Sequence, residues 1–360
     1  MDNPHNDQVL REHAMAALIG LAIGDALGMP TESMSRTQIA QAYGPITRPR
    51  DAVDWQPIAP AMPAGSVTDD TEQAMLLAKL LIEGRGVIEP MAFALALSQW
   101  EADMEAKGSL DLLGPSTKAA IAAIRAGATP EDDPGAGGST NGAAMRVTPV
   151  GIAFSLVSTV EPARSTHKSS LDSNTVGGGL MKAVLESARL THNTGLGLGA
   201  AGVVAAAVSD ALDRPGQSLS DTIAHAVEAA TPLAQSGNWV AGGSVPARVA
   251  WAVDSVADLP EADTLDAIDQ IIGTSVASQE SIPAAFALAS RFVDDPYHAL
   301  CLAAEVGGDT DTMAAIAGAI LGAHHGMSAW PVQIVDQVVT VNHLDLDPVV
   351  DGLVNLRRHR

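Results

Sequence analysis

The 360-residue sequence has one cysteine, 3% aromatic residues, and 20 basic side chains against 42 acidic ones. The lone Cys301 excludes an internal disulfide, and its apolar neighbours Leu300 and Leu302 mark it as a buried, inert thiol. Cysteine and histidine spacings suited to zinc are absent. A net charge of −22 with so few Lys and Arg excludes a sequence-independent grip on DNA or RNA, which needs clustered cations to neutralise phosphates. The same deficit argues against anionic membrane surfaces. The longest apolar stretches, around 196–208 and 313–326, are rich in Gly and Ala and fall short of the ~20 residues of a membrane span. The first twelve residues are polar and charged, unlike a signal peptide, so a soluble cytoplasmic protein is expected. The oligomeric state is left open.

What is present is small and apolar. Hydrophobic residues make up 47% of the chain, with Ala, Gly, Leu and Val supplying most of them, a composition suited to helices packed closely through small side chains. Apolar residues recur at helical spacing over 8–29, with Pro30 marking the end. A Pro-, Arg- and Asp-rich loop is expected over 44–66, then a helix from Thr68 to Leu81. Further helices are expected over 90–106, 116–126, 142–160, 180–192, 198–213, 220–230, 264–276, 281–293, 297–305 and 312–323. Alternation of β-branched residues is scarce, so the expected class is all-α. The stretch 128–140 and the Ser/Gly-rich stretch 165–179 read as loops, the second as a candidate mobile cover. Neither reads as a linker, so 1–360 is expected to form a single compact domain.

Three segments place acids and hydroxyls among glycines at helix edges: Gly24-Asp25-Ala26-Leu27-Gly28 followed by Glu32, Gly65-Ser66-Val67-Thr68-Asp69-Asp70-Thr71, and Gly307-Gly308-Asp309-Thr310-Asp311-Thr312. Oxygen-only clusters of this kind suit hard cations such as Mg²⁺ or Mn²⁺. Asp309 and Asp311 would diverge on a regular helix and converge more easily in a glycine-led loop that enters a helix at Thr312. The alternative is helix capping, since Thr and Asp satisfy free N–H groups at amino ends. Two clusters, each denser than capping needs, favour a metal site built from both.

These motifs, together with Asn141-Gly142-Ala143-Ala144-Met145-Arg146 and Thr191-His192-Asn193, resemble the ADP-ribosylglycohydrolase family, which includes the enzyme that removes ADP-ribose from dinitrogenase reductase. They stand in family order and span residues 15–326. The resemblance implies a compact orthogonal helical bundle with a central dimetal cleft holding two Mg²⁺ or Mn²⁺ ions. It implies Thr68, Asp69, Asp70, Asp309, Asp311 and Thr312 as metal ligands, Glu32 on a flanking loop, and Asp25 as a buttress of that loop. Asn141 and Gly142 would line the substrate pocket, with His192 near the ribose or metal edge. The implied reaction is hydrolysis of a ribosyl C1″ N- or O-glycosidic bond by a metal-positioned water, with Asp70, Glu32 and Asp311 as catalytic acids and bases. The substrate would be a small ribosyl compound or an ADP-ribosylated protein.

Other readings attach to the same residues. Glu32 could be a solvated loop carboxylate, His192 a hydrogen-bonded buried histidine, Asn141-Gly142 a turn, and Arg146 the partner of a buried carboxylate. The sequence also departs from arginine-specific bacterial members, which carry an Asp-x-Gly-Asn segment and a second histidine. Aligning on Gly114 puts Leu112 and Pro115 at the Asp and Asn positions, and Thr194 stands in place of the histidine. These departures leave the metal motifs intact and turn attention to a smaller nucleoside-like or N-riboside substrate, or to a non-catalytic ADP-ribose-binding member of the family.

Overall fold

The computed structural model describes residues 4–106, 113–157 and 178–359. Among them are seventeen α-helices and no β-strand, so the architecture is all-α. In chain order they are α1 (Pro4–Gly28), α2 (Arg36–Tyr43), α3 (Asp69–Glu83), α4 (Pro90–Ala106), α5 (Pro115–Arg125), α6 (Gly142–Met145), α7 (Thr148–Ala153), α8 (Gly178–His192) and α9 (Gly195–Asp213). There follow α10 (Leu219–Ala234), α11 (Val245–Val256), α12 (Glu261–Ala267), α13 (Ser278–Arg291), α14 (Pro296–Ala303), α15 (Thr310–His325), α16 (Val332–Asn342) and α17 (Asp347–Arg358).

The small-residue composition has a direct structural use in the pairing of α1 with α15. A Cβ added at Gly20 would collide with the Gly318 backbone, one at Gly24 with Ala314, and one at Gly28 with the main chain of Asp311. Glycines four apart lie on one helix face, so the two main chains touch along that face. The last of these contacts is at the acidic motif itself. The amino half of α15 is thereby fixed against the carboxyl end of α1.

Two helical segments, Asn6–Thr31 and Gly195–Asp213, are long and apolar enough to cross a membrane, beyond what the uncharged runs alone suggest. In each, 94% of the apolar window is buried inside the protein, the condition of a core helix. Around α9 the interior is nearly all Ala, Val and Leu.

Several expectations change in detail. The helix expected over 142–160 is broken into α6 and α7, because Pro149 in the first turn of α7 cannot donate to a preceding helical carbonyl. The helix expected over 264–276 stops at Ile272, where Gly273 turns with φ +94°. Helices α2, α11, α16 and α17 carry no counterpart in the expected set. The expected loop 165–179 lies outside the described residues up to 177, as do Asp111 and Leu112, and its last two residues already belong to α8.

Candidate active site

The two acidic motifs, more than 240 residues apart, meet. Thr312 Oγ1 donates to Asp70 Oδ2 at 3.1 Å, joining the first turns of α3 and α15. Capping does not account for them. Thr68 and Asp309 stand at the N-cap positions of these helices, and neither side chain makes a capping hydrogen bond. Helix α15 begins at Thr310, earlier than the Thr312 expected, with Asp309 just before it and Asp311 inside its first turn.

Asp25, at the end of α1, holds the α3 half. Its buried carboxylate accepts from Thr68 N at 3.0 Å, Thr68 Oγ1 at 2.8 Å, Thr71 N at 3.1 Å and Thr71 Oγ1 at 2.5 Å. Burial pushes this carboxyl up to about 6, opposed by those four donors. Asp25 therefore buttresses the Thr68–Thr71 turn, where the loop bearing Glu32 had been expected.

The α15 half is held by main chain. Gly307 and Gly308 have φ of +87° and +79°, a left-handed turn natural to glycine. Gly308 pairs with the segment after Glu32: Ser33 N donates to Gly308 O at 2.7 Å and Gly308 N to Met34 O at 3.0 Å. Asp309 N donates to Thr274 O at 2.7 Å. Gln56 clamps the Glu32 loop from the other side, its Nε2 donating to Met29 O and Glu32 O at 3.2 and 3.1 Å. The result places carboxylate oxygens of Glu32, Asp309 and Asp311 within 4.8 Å of one another.

The electrostatics of this cluster favour a cation. Asp70 is 1% exposed, and its Oδ1 has no hydrogen-bond partner among the described residues. Burial, then the charges of Asp311, Asp69, Asp25 and Asp309, hold the Asp70 carboxyl well above its usual range. Asp309 is also raised by burial, against the hydrogen bond from Asn141. Converging buried carboxylates with one orphaned oxygen make an all-oxygen donor set suited to a hard divalent ion.

The remaining expected residues divide. Asn141 Nδ2 donates to Asp309 Oδ2 and, at 2.9 Å, to Ser281 Oγ, so this side chain orients an acid of the cluster. Gly142 packs beside His192, where a Cβ would come 3.2 Å from the ring. His192 is fully buried, with Nε2 3.2 Å from Thr140 Oγ1 and Nδ1 2.8 Å from Thr191 Oγ1. Burial and then Arg146 depress its pKa, so the ring is neutral near pH 7. Thr194 caps α9, accepting from Gly197 N at 3.0 Å and donating to Gly138 O at 2.6 Å. Pro115 opens α5, where Ser116 Oγ accepts from Ser139 N and Thr140 N, both at 3.3 Å. Gln73, absent from the expected set, donates from Nε2 to Asp69 Oδ2 at 2.7 Å. Its position four residues after Asp69 on one helix face was the available signal.

Known proteins resemble this chain in sequence and fold. The family described as ADP-ribosylglycohydrolase matches residues 6–360. An uncharacterised protein of Escherichia coli (strain K12), YegU, is 32% identical over 97% of this chain and 98% of its own. The ADP-ribosyl-dinitrogen reductase glycohydrolase of Rhodospirillum rubrum is 31% identical over 51% of this chain and 65% of its own. The ADP-ribosylarginine hydrolase Tri1 of Pseudomonas putida (strain GB-1) is 26% identical over 95% and 80%. A solved structure described as an ADP-ribosylglycohydrolase-related protein complex shares the fold, with TM-score 0.62 over 98% of this chain and 99% of that one at 22% identity. With the motifs joined in space and the match running almost end to end, this chain belongs to the ADP-ribosylglycohydrolase family, hydrolases of glycosidic bonds to ADP-ribose.

Proposed function

We propose that this protein hydrolyses the ribosyl C1″ bond of an ADP-ribosyl compound at a site for two Mg²⁺ or Mn²⁺ ions. The observation that carries the reading is the junction of the motifs: Glu32, Asp309 and Asp311 converge within 4.8 Å, and the orphaned Asp70 oxygen sits on the helix start bonded to Thr312. Thr68, Asp69, Asp70, Asp309, Asp311 and Thr312 would hold the ions. Bound there, the ions supply Lewis acidity and orient a water toward the anomeric carbon.

The protein's own groups supply the rest. Asp25 accepts a hydrogen bond from the Thr68 hydroxyl, leaving that oxygen's lone pairs directed elsewhere. Asn141 fixes one Asp309 oxygen and leaves the other to the cluster. Glu32 is half-buried where Asp70 is closed off, so Glu32 is the better placed of the two to accept a proton from the attacking water. The neutral His192, its Nδ1 engaged by Thr191, holds the Thr140–Gly142 loop through its hydrogen bond to Thr140. We place substrate against that loop and propose that 1–360 acts as one domain.

A second reading concerns the leaving group. Thr194 is engaged in capping and Pro115 in starting a helix, so neither supplies the polar contact that the arginine-specific members draw from these positions. A smaller N-riboside therefore stands beside ADP-ribosylated protein as the substrate class. The test is a hydrolysis panel of ADP-ribosyl-arginine, ADP-ribosyl-serine, O-acetyl-ADP-ribose and common nucleosides, with and without Mg²⁺ or Mn²⁺. Release of ribose or ADP-ribose only with metal supports the reading. Turnover unchanged by chelator, or none on any member, removes it. Efficient cleavage of ADP-ribosylated protein with small ribosides ignored removes the second reading alone.

A further inference from the structure

Arg146 is the largest fully buried side chain among the described residues, 0% exposed. Among those residues it forms no ion pair within 4.0 Å and its Nε has no hydrogen-bond partner, so the alternative reading of a pairing with a buried carboxylate is not met. Burial lowers its pKa to about 10, and the charge of Asp69 opposes that shift. It therefore remains a cation at neutral pH, lying over the Phe93 ring at 5.1 Å.

Its hydrogen bonds run in two directions. One terminal nitrogen donates to Gln73 Oε1 at 2.9 Å and, more weakly, to Thr117 Oγ1 at 3.4 Å. The other donates to Thr191 Oγ1 at 2.8 Å, the hydroxyl that also meets His192 Nδ1. A guanidinium only donates, so the Gln73 amide must turn its oxygen toward Arg146. That leaves its N–H₂ facing Asp69 Oδ2 at 2.7 Å. Asp69, which only accepts, and Arg146, which only donates, hold the amide in the same orientation from its two ends, so Arg146 stiffens the donor that faces the acid. Arg146 stands at the end of α6, which Asn141 and Gly142 open, so one side chain ties that short helix to the first turns of α3 and to the end of α8.

We propose that Arg146 is a positioning residue for the metal-ligand set, acting on Asp69 through the Gln73 amide. This rests on the reading of Asp69 as a ligand. Hydrogen-bond partners behind a metal ligand typically contribute ~10–100-fold to metal affinity. A role confined to filling the interior would be felt in thermal stability and not in metal affinity.

The test titrates the full-length chain with Mn²⁺ by calorimetry, with free Mn²⁺ counted by electron paramagnetic resonance and melting followed by circular dichroism. Gln73→Met keeps the volume and cuts the connection; it is expected to weaken Mn²⁺ binding by ~10–100-fold with melting little changed. Arg146→Lys, which can reach Gln73 or Thr191 but not both, is expected to fall between Gln73→Met and the wild type. Thr117→Val removes a partner of the same guanidinium off the line to Asp69 and is expected to bind Mn²⁺ like the wild type. Gln73→Met binding as tightly as the wild type would overturn the proposal. So would Thr117→Val losing as much affinity as Gln73→Met. A wild-type chain that binds no Mn²⁺ would instead overturn the metal reading beneath it, and the proposal with it.

Discussion

At the start of α3 a buried side chain does the holding; at the start of α15 the main chain does. Asp25 gathers two hydroxyls and two amides of the Thr68–Thr71 turn. The opposite half relies on two left-handed glycines and backbone bonds to Ser33, Met34 and Thr274, with Asn141 trimming one carboxylate. One half is set by an ionisable anchor, the other by conformation. The contrast teaches that the two halves should respond differently to pH and to added Cβ atoms, while sharing one fate when a ligand is removed.

The largest expected effect tests that shared fate. Asp70→Ala and Asp311→Ala should each lower metal-dependent turnover at least ~100-fold, with helical content kept in circular dichroism. If one variant keeps activity near that of the wild type, the halves do not form one site. Next come the glycines. Gly308→Ala combines a positive φ with a Cβ forced into the Thr274 carbonyl, and should cost about 3 kcal/mol or more in denaturant unfolding. Gly65→Ala, ahead of the α3 half, also has a positive φ, but the nearest atoms to its Cβ would be those of the flexible Gln337 side chain at 3.2 Å, so about 1–2 kcal/mol is expected. Equal losses would erase the distinction between main-chain and side-chain anchoring.

The smallest effect is in the pH dependence. Burial lifts Asp25 from its ordinary value to about 6, so between about 4 and about 6 the folded chain keeps a proton that the unfolded chain releases. Stability of metal-free protein should then be greatest below that window and fall as pH rises through it. Asp25→Asn should flatten this slope in melting measured with chelator from pH 4 to 7. Asn141→Ser, which removes a donor that holds the Asp309 carboxyl down, should leave the Asp25 contribution in place and steepen the slope as Asp309 rises further. An unchanged slope in Asp25→Asn would show that the other raised acids, Asp70 and Asp309, set it alone.

The α-helical class and the two acidic motifs were legible because each is local: helical spacing of apolar residues, and oxygen donors beside glycines. What joined them was not local. The bond from Asn141 to Asp309 spans 168 residues, and nothing near Asn141 distinguishes it from a turn residue that lines a pocket. Gln56 clamps the Glu32 loop from a stretch that reads only as irregular. Helix α16 shows the other limit: its run of Val, Ile and Thr has weak helical preference, and burial of Ile334 and Val338 decides its conformation. Helix α11, opened by Pro246 and packed on α13, buries Val245, Val249, Ala252 and Val256 at helical spacing, a local signal that the sequence carried.

The backbone contacts at Gly20, Gly24 and Gly28 have a consequence for how this sequence can change over time. They act as a spacer of fixed thickness between α1, with its Asp25, and α15, with its Asp311, so the two acids are gauged by main chain and not by side-chain volume. Drift in the residues around Pro115 and Thr194 leaves that gauge untouched. A lineage can therefore change those residues while the frame that joins the two acidic motifs stays at the same dimension. A single methyl group at Gly28 would reset that dimension at once.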